Sequence, residues 1–423
     1  MLLEELPIAV DSFSHRGAEV LFFCSHAHAD HLVGLHGRWQ RGCIYCSPVT
    51  ARLLELRWPA LGARLRPLTL GVTHSLTLGG ADGPPLRVLL LDAHHVPGAV
   101  MFLFSGDFGT LLHTGDFRWH PEHVHLCSLP LLRGGLARIF LDNTFCHPAF
   151  EHPPREVVAA EAAATAASKW PCVLFVCGYR LGKEPLLQAL AQRLGTRVLV
   201  TPERAAALRA SGFSAEHLQL EPRAPTELEM DELWRRGLHG CLWMVRRPQL
   251  RPAMQWASSS GVPAHGLHPS GWSAPASKVT SNDGVEEVAY SDHCSFLELV
   301  QFLSCLPAAP VTLLSPLPRA GTRFSYDGAE GLRELLQHVA VPSVRYQEAA
   351  EPGPHRRRRK AGRRPCAAQG PAKHRRRWGL LGGVRTPEVL RRGVPCRGLR
   401  ISRSRSRSQK RTQHQRRQPP AKK

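Results

Sequence analysis

Over the first third of the chain, apolar residues come in short runs separated by glycine-, proline- and histidine-rich turns. Val20–Cys24, Leu86–Leu91, Val100–Phe104, Thr110–His113 and Ala137–Leu141 have the length and composition of strands. Several are apolar on both faces, as strands buried between two layers must be. Polar clusters follow several of them: Ser25–His31, Asp92–Gly98, Thr114–Arg118 and Asp142–Cys146. Loops at strand ends are where sheet enzymes carry their chemistry.

The middle has a different rhythm. Residues 154–168 are alanine-rich and predict a helix, Cys172–Cys177 a buried strand, Gly182 and Lys183 the opening of a helix through Leu194, and Arg197–Val200 a strand. Alternation of this kind predicts a small parallel α/β module. Leu242–Val245 reads as a further strand, and the Pro/Gly/Ser-rich stretch 257–284 as a loop. From Glu286 the first pattern resumes, with a strand into Tyr290–His293, a helix over Phe296–Leu306, a strand at Val311–Leu314 and a helix over Gly331–Val339. An α/β module inserted into a sheet domain explains this order. Its expected divisions are residues 1–150, the insert 151–285, the returning segment 286–348, and a tail, 349–423, without apolar periodicity.

Charge separates the tail from the rest. Of 55 Lys and Arg and 34 Asp and Glu, the last 73 residues hold 25 and 2, so the first 350 are nearly neutral. Arg356–Lys360, Arg375–Arg377 and the Ser-Arg alternation of Ser402–Ser408 repel one another and predict a disordered segment. Basic clusters of this kind bind phosphates non-specifically or serve nuclear import, and phosphorylation of the serines would lower their charge. The 12 cysteines form no disulfide framework in a chain of 423 residues. Neither a secretory signal nor a membrane span is visible, which predicts a reducing, intracellular setting.

The 23 histidines are an excess, and three fall in His26-Ala-His-Ala-Asp-His31. His26, His28, Asp30 and His31 are imidazole and carboxylate donors without thiolate, which suits zinc at a catalytic site better than a structural one. Two ligand pairs on one loop also suit two metals sharing a phosphate. Later strand ends offer His94 and His95, Asp116, and His293. Each alone is an ordinary polar turn; their recurrence at successive strand ends argues for one site.

These residues carry a family resemblance. Asp11, the HAHADH run, His95, TGDFR with Asp116, Asp142 and His293 resemble the ordered motifs of the metallo-β-lactamase fold, and more narrowly its β-CASP branch of nucleic-acid hydrolases. IAVDSF, YCSPVT, TGDFRW, LDNTFCHP and YSDHCS are similar to the DNA cross-link repair subfamily over about residues 6–320. The resemblance implies an α/β fold, a metallo-β-lactamase αββα sandwich with an inserted β-CASP cap. It implies one metal on His26, His28 and His95 and a second on Asp30, His31 and His293, with Asp116 bridging. Asp11 and Asp142 would orient histidines. The metals would be two zinc ions, or zinc with magnesium or manganese in the second position. His94 stands where the family usually has Asn, and Val96 where it usually has Cys.

Substrate choice then falls to the insert. Gly182 permits close backbone approach, a helix N-terminus favours an anion, and Lys183 adds a charge, which together describe a phosphate pocket. The segment resembles the family's Tyr-x-x-Gly-Lys-Glu motif, here Tyr179 to Glu184, which implies recognition of a 5′-phosphate; Arg204 would add a contact. The expected activity is 5′-to-3′ exonucleolytic hydrolysis of single- or double-stranded DNA in the nucleus, in interstrand cross-link repair and chromosome-end processing. The Tyr/Phe-x-Leu-x-Pro docking motif of telomere-associated members is not found, so telomere proteins remain only candidate partners. An RNA-processing endonuclease of the same fold and a metal-free DNA-binding scaffold are the rival readings. Cys43 and Cys46 read as structural, and Trp58, Trp119, Trp243 and Trp272 as packing residues that could also stack on bases.

Overall fold

A computed structural model describes residues 2–3, 6–15, 17, 19–178, 181–221, 240–273, 284–318 and 327–346. The chain divides at Gly353/Pro354, and every described residue lies in the first part. The expected tail, Tyr179, Arg180 and residues 274–283 of the expected loop lie outside the described residues.

Four short parallel strands form the first sheet in the order β1 (Ile8–Val10), β2 (Leu21–Phe23), β3 (Ile44–Cys46), β4 (Leu65–Pro67). Helix α1 (Pro48–Arg57) crosses between β3 and β4, with Ser47 Oγ accepting from Thr50 N to cap its start. A seven-stranded mixed sheet follows. β5 (Thr73–Thr77), β6 (Pro85–Asp92), β7 (Val100–Gly106) and β8 (Gly109–His113) run antiparallel, and β9 (Arg138–Leu141) lies parallel to β8.

Strict alternation puts the two sheets face to face. Leu86, Val88 and Leu90 of β6 and Val100, Phe102 and Phe104 of β7 pack on Ile8, Val10 and Phe23 of the first sheet. Their neighbours Leu89, Met101 and Leu103 point to the other face, where two later helices cover them. Phe22 and Ile44 likewise turn outward onto Ala51 and Leu54 of α1. The layers are therefore helix, sheet, sheet, helix. Each fully buried Phe or Leu in these layers contributes about 1.5–3 kcal/mol of hydrophobic stabilisation.

The middle of the chain makes a third, wholly parallel sheet. Its strands are β10 (Val173–Cys177), β11 (Val198–Val200), β12 (Leu218–Leu220), β13 (Cys241–Val245), β14 (Ala264–Pro269) and β15 (Val285–Val288), in the order β12-β11-β13-β10-β14-β15. Helices α2 (Arg155–Ser168), α3 (Glu184–Leu194) and α4 (Pro202–Ala210) cover one face. Helix α5 (Arg247–Ser259) covers the other. Alanines at 159, 162, 163 and 166 form the buried stripe of α2. Two expectations change here. The stretch 257–284 is not simply a loop, because it holds the end of α5 and all of β14, whose His-Gly-Leu-His-Pro composition hides a buried strand. The strand expected from Glu286 completes this parallel sheet instead of resuming the first pattern.

The chain then returns to the seven-stranded sheet through α6 (Phe296–Ser304), β16 (Val311–Leu313), α7 (Gly328–His338) and β17 (Val344–Tyr346). Phe296, Leu299, Phe302, Leu332 and Leu335 cover its outer face. A Cβ on Gly331 would come within 2.0 Å of the Cys146 carbonyl oxygen, so glycine lets α7 sit on the loop after β9. No helix among the described residues is long and apolar enough to cross a membrane.

Candidate metal centre

Strand ends of both face-to-face sheets meet at one edge and deliver the histidines and aspartates. β1 ends at Asp11, β2 runs into Ser25–His31, and β8 and β9 run into Asp116 and Asp142. The segment Ala29–Leu32 closes into a 3₁₀ turn, with His31 N donating to the His28 carbonyl at 3.2 Å, which brings the HAHADH donors onto one side. Asp11, His94 and Lys183 are the non-glycine residues with a left-handed backbone among the described residues; the first two lie on loops of this edge and Lys183 on the loop between β10 and α3, paired with Asp292. Strained backbone of this kind concentrates at functional sites.

Asp116 is the hub. Its Oδ2 lies 3.2 Å from His31 Nε2, 3.7 Å from His26 Nε2 and 3.7 Å from His95 Nε2. His28 joins through Nδ1, 3.3 Å from His95 Nε2, and the His293 ring stands 4.7 Å from that of His95. Ligand atoms on one tetrahedral ion with bonds of about 2.0–2.1 Å are spaced by roughly 3.4 Å, close to these separations.

The outer nitrogens of these rings are held in turn. His31 Nδ1 is 2.9 Å from Asp11 Oδ2, and His293 Nδ1 is 2.8 Å from Asp142 Oδ2. His95 Nδ1 donates to the Asp292 carbonyl at 2.8 Å. Ser25 binds Asp11 through N and Oγ at 2.7 and 2.5 Å, and its Oγ reaches His26 Nδ1 at 2.9 Å. Carboxylate or carbonyl partners of this kind orient imidazoles for metal binding.

Charge is divided unequally among the rings. Burial, with His31 as the next contributor, holds His26 well below the ordinary imidazole value, and burial with His293 holds His95 at about 3. Burial also pushes His31 and His293 down, but Asp116 and Asp11 overcome it at His31. Asp142 overcomes it at His293, which rises to about 9. Burial raises Asp116, yet His31, His293 and His26 keep its carboxyl well below the usual range. His26 Nε2 is buried without a hydrogen-bond partner. An orphaned imidazole nitrogen, a buried carboxylate and further nitrogen donors fit a divalent metal.

His94 and His95 part company. His95 faces Asp116, whereas His94 stacks on His120 with ring centroids 4.0 Å apart. Asp30 is not drawn into the cluster: its carboxylate is 80% exposed and 3.9 Å from His31 Nε2.

Beside the centre, Lys183 precedes α3 with φ +73° and places its ammonium on Asp292 Oδ2. Gly182 has φ +92°, a conformation that strains any residue with a side chain, and a Cβ there would also sit tightly, 3.3 Å from Asp292 Oδ2. The Gly182 N–H is occupied by Glu184 Oε1 at 3.0 Å, and burial raises the Glu184 carboxyl to about 7. Arg204 does not face this pocket with its described bonds; it donates to the Met244 and Gly178 carbonyls, tying α4 to the ends of β10 and β13.

Several residues the motifs did not single out hold the site together. Buried Arg118 donates to the Ser291 carbonyl at 2.9 Å, to the Pro153 carbonyl at 3.1 Å, and to Glu298 at 2.8 Å. It thus joins the Asp116 loop to the His293 loop and to the entrance of α2. Arg155 Nη1 donates to the His95 carbonyl at 3.1 Å and stands 3.8 Å from Asp292. Both arginines are visible in the sequence, but only folding shows what they join. Of the tryptophans, Trp243 is buried in the middle sheet, Trp58 and Trp119 are partly buried against the core, and Trp272 is 51% exposed. Cys46 is buried, and burial pushes its thiol to about 12.

No family model matches the chain. Curated relatives do. The chain is 38% identical to the 5′ exonuclease Apollo of Gallus gallus over 311 residues, 72% of this chain and 61% of that one. It is 36% identical to the Danio rerio Apollo over 322 residues, 74% of this chain and 51% of that one. To the DNA cross-link repair protein SNM1 of Arabidopsis thaliana it is 31% identical over 337 residues, 75% and 66% of the two chains. Thus the chain spans between 51% and 61% of the length of these exonuclease relatives. At 38% and 31% identity over 311 and 337 residues, the chain belongs to the β-CASP family of DNA cross-link repair nucleases.

Proposed function

We propose that this chain is a metal-dependent 5′-to-3′ DNA exonuclease that removes nucleotides from 5′-phosphorylated ends. The observation that carries the proposal is the side-by-side placement of the Asp116 cluster and Lys183, joined through Asp292. A centre for hydrolysis and a cation for a terminal phosphate then lie within one wall. The names of the relatives, a 5′ exonuclease and DNA cross-link repair proteins, support DNA as the substrate and cross-link repair as the setting; interstrand links, chromosome-end processing and a nuclear location belong to the same reading.

In this reading the helix–sheet–sheet–helix layers are the metallo-β-lactamase sandwich, built from residues 1–150 and the chain after Val288. The parallel sheet is the β-CASP cap, running past the expected boundary at 285. His26, His28, His31, His95, Asp116 and His293 hold metal, with zinc favoured by the imidazole-rich donor set. Asp30 would join them by a rotation of its exposed side chain. Bound metal supplies Lewis acidity toward a phosphate and makes nearby water easier to deprotonate.

The chain's own groups do the rest. Lys183 leaves Asp292 for the terminal phosphate, and the N-terminus of α3 adds its favourable field. Asp142 and Asp11 hold His293 and His31 in place while charge builds at phosphorus. Trp272, with its ring 4.7 Å from Phe145, which lies 5.9 Å from His293, offers a face on which a base can stack.

End-labelled single-stranded DNA, with and without a 5′-phosphate and with and without chelator, tests this. The expected result is mononucleotide release from the phosphorylated end, abolished by chelation. Equal cutting of hydroxyl-ended or circular DNA, or of RNA, would overturn the assignment of end and substrate.

A further inference from the structure

Two adjacent histidines leave the connection between β6 and β7 in different directions. His95 enters the Asp116 cluster. His94, at φ +49°, turns toward the 3₁₀ helix Pro121–Ser128. There one donor atom each from His94, His120 and Glu122 lie within 4.8 Å of one another. Glu122 Oε2 is 3.5 Å from His94 Nε2 and 3.8 Å from His120 Nδ1. His94 belongs to none of the groups of side chains around Asp116.

We propose that His94, His120 and Glu122 form a second divalent-metal site, distinct from the Asp116 centre and suited to zinc. Two imidazoles and a carboxylate are a zinc donor set that leaves a position for water. Hard cations such as magnesium prefer all-oxygen surroundings, so the two imidazoles discriminate against them.

Two observations support the site besides the proximity of the three residues. His94 Nε2 is buried and makes no hydrogen bond, with Glu122 Oε2 standing 3.5 Å away, so a donor atom is left open to an ion between them. The two limbs of the site are also fastened together. His123 Nε2 donates to the Asp92 carbonyl at 3.1 Å, its Nδ1 accepts from His120 N at 3.2 Å, and Asp92 Oδ1 accepts from His94 N at 2.7 Å. The loop carrying His94 and the helix start carrying His120 and Glu122 therefore hold a fixed separation. Access is open, with the Glu122 side chain 73% and the His120 side chain 40% exposed. Binding needs His120 to rotate out of its stack on His94 and to release the Glu122 N–H that its Nδ1 accepts at 3.4 Å.

Zinc content and Zn²⁺ calorimetry of the full chain, compared with His120→Asn and Glu122→Gln, test the proposal. Asn preserves an N-cap for the 3₁₀ helix, and neither variant touches the Asp116 cluster. The expected result is the loss of one bound zinc from each variant, or a weakening of one binding event by about a hundredfold or more. Identical zinc content and isotherms in all three proteins would overturn the proposal, as would loss of the Asp116-centre zinc together with this one. Circular dichroism of each variant confirms that a lost zinc is not a lost fold.

Discussion

The main-chain carbonyl of Asp292 lies 2.8 Å from His95 Nδ1, so that ring donates there and keeps its Nε2 lone pair toward Asp116. The carboxylate of the same Asp292 receives Lys183. Asp292 thus orients the His95 ring with its backbone and, with its side chain, holds the cation proposed for the terminal phosphate.

Asp116 and Asp142 differ in what they touch, and their variants should differ accordingly. Asp116→Asn removes the charge that His26, His31 and His95 surround, and nuclease activity is expected to fall below detection with loss of metal. Asp142→Asn removes the charge behind His293, on a side chain that also accepts from Phe117 N, Thr144 N and Thr144 Oγ1, and metal affinity should drop by about 10–100-fold. Metal analysis beside a 5′-end assay reads both. Wild-type activity in Asp116→Asn would end the nuclease assignment.

Lys183→Ala leaves the buried Asp292 carboxylate with Arg155, 3.8 Å away, as its remaining cation, so the loss should fall below the about 3–5 kcal/mol of a fully broken buried pair. Chemical denaturation should show that loss, and the double variant Lys183→Ala/Asp292→Asn should recover much of it. On DNA, both variants should raise KM for 5′-phosphorylated strands and leave hydroxyl-ended strands unaffected. A stability loss without any change in phosphate preference would reduce Lys183 to a structural role.

Metal uptake should depend steeply on pH. Without metal, burial is outweighed by Asp116 at His31 and by Asp142 at His293, so both rings hold protons at neutral pH, His293 up to about 9. Metal must expel those protons, so affinity is expected to rise as pH increases toward 9 and to fall in acid. Calorimetry in buffers of different ionisation enthalpy should detect about two protons released near pH 7. The Asp142–His293 pair also stabilises the metal-free fold fully below about 6.5, an advantage lost as pH rises through about 9. Thermal melts of metal-free protein that strengthen across that window would contradict the assignment.

Trp272→Ala should weaken single-stranded DNA binding by about 1–3 kcal/mol, the usual worth of one base stacked on an aromatic ring. The half-exposed side chain makes a large stability effect unexpected. Trp272→Phe should retain most of the affinity. Equal KM for all three proteins would show that the ring only shields Phe145.

Local chemistry was legible in the chain without a structure. The apolar runs that became β6, β7, β8, β9 and β10, the alanine stripe of α2, and the polar clusters after the strands follow from periodicity and composition, which act over a few residues. The candidate donors His26, His28, His31, Asp116 and His293, with His94 or His95 beside them, could be named because nitrogen and oxygen ligands at strand ends form an identifiable pattern. Three-residue strands such as β1 and β4 are too short to show a period, and β14 is masked by histidine, glycine and proline. Direction belongs to the tertiary structure. Whether His94 or His95 turns to Asp116, whether Arg204 faces a pocket or two carbonyls, and that Arg118 joins three loops all depend on packing between segments far apart in sequence. A residue's identity fixes what bonds it can make, but only the neighbours supplied by folding decide which it makes.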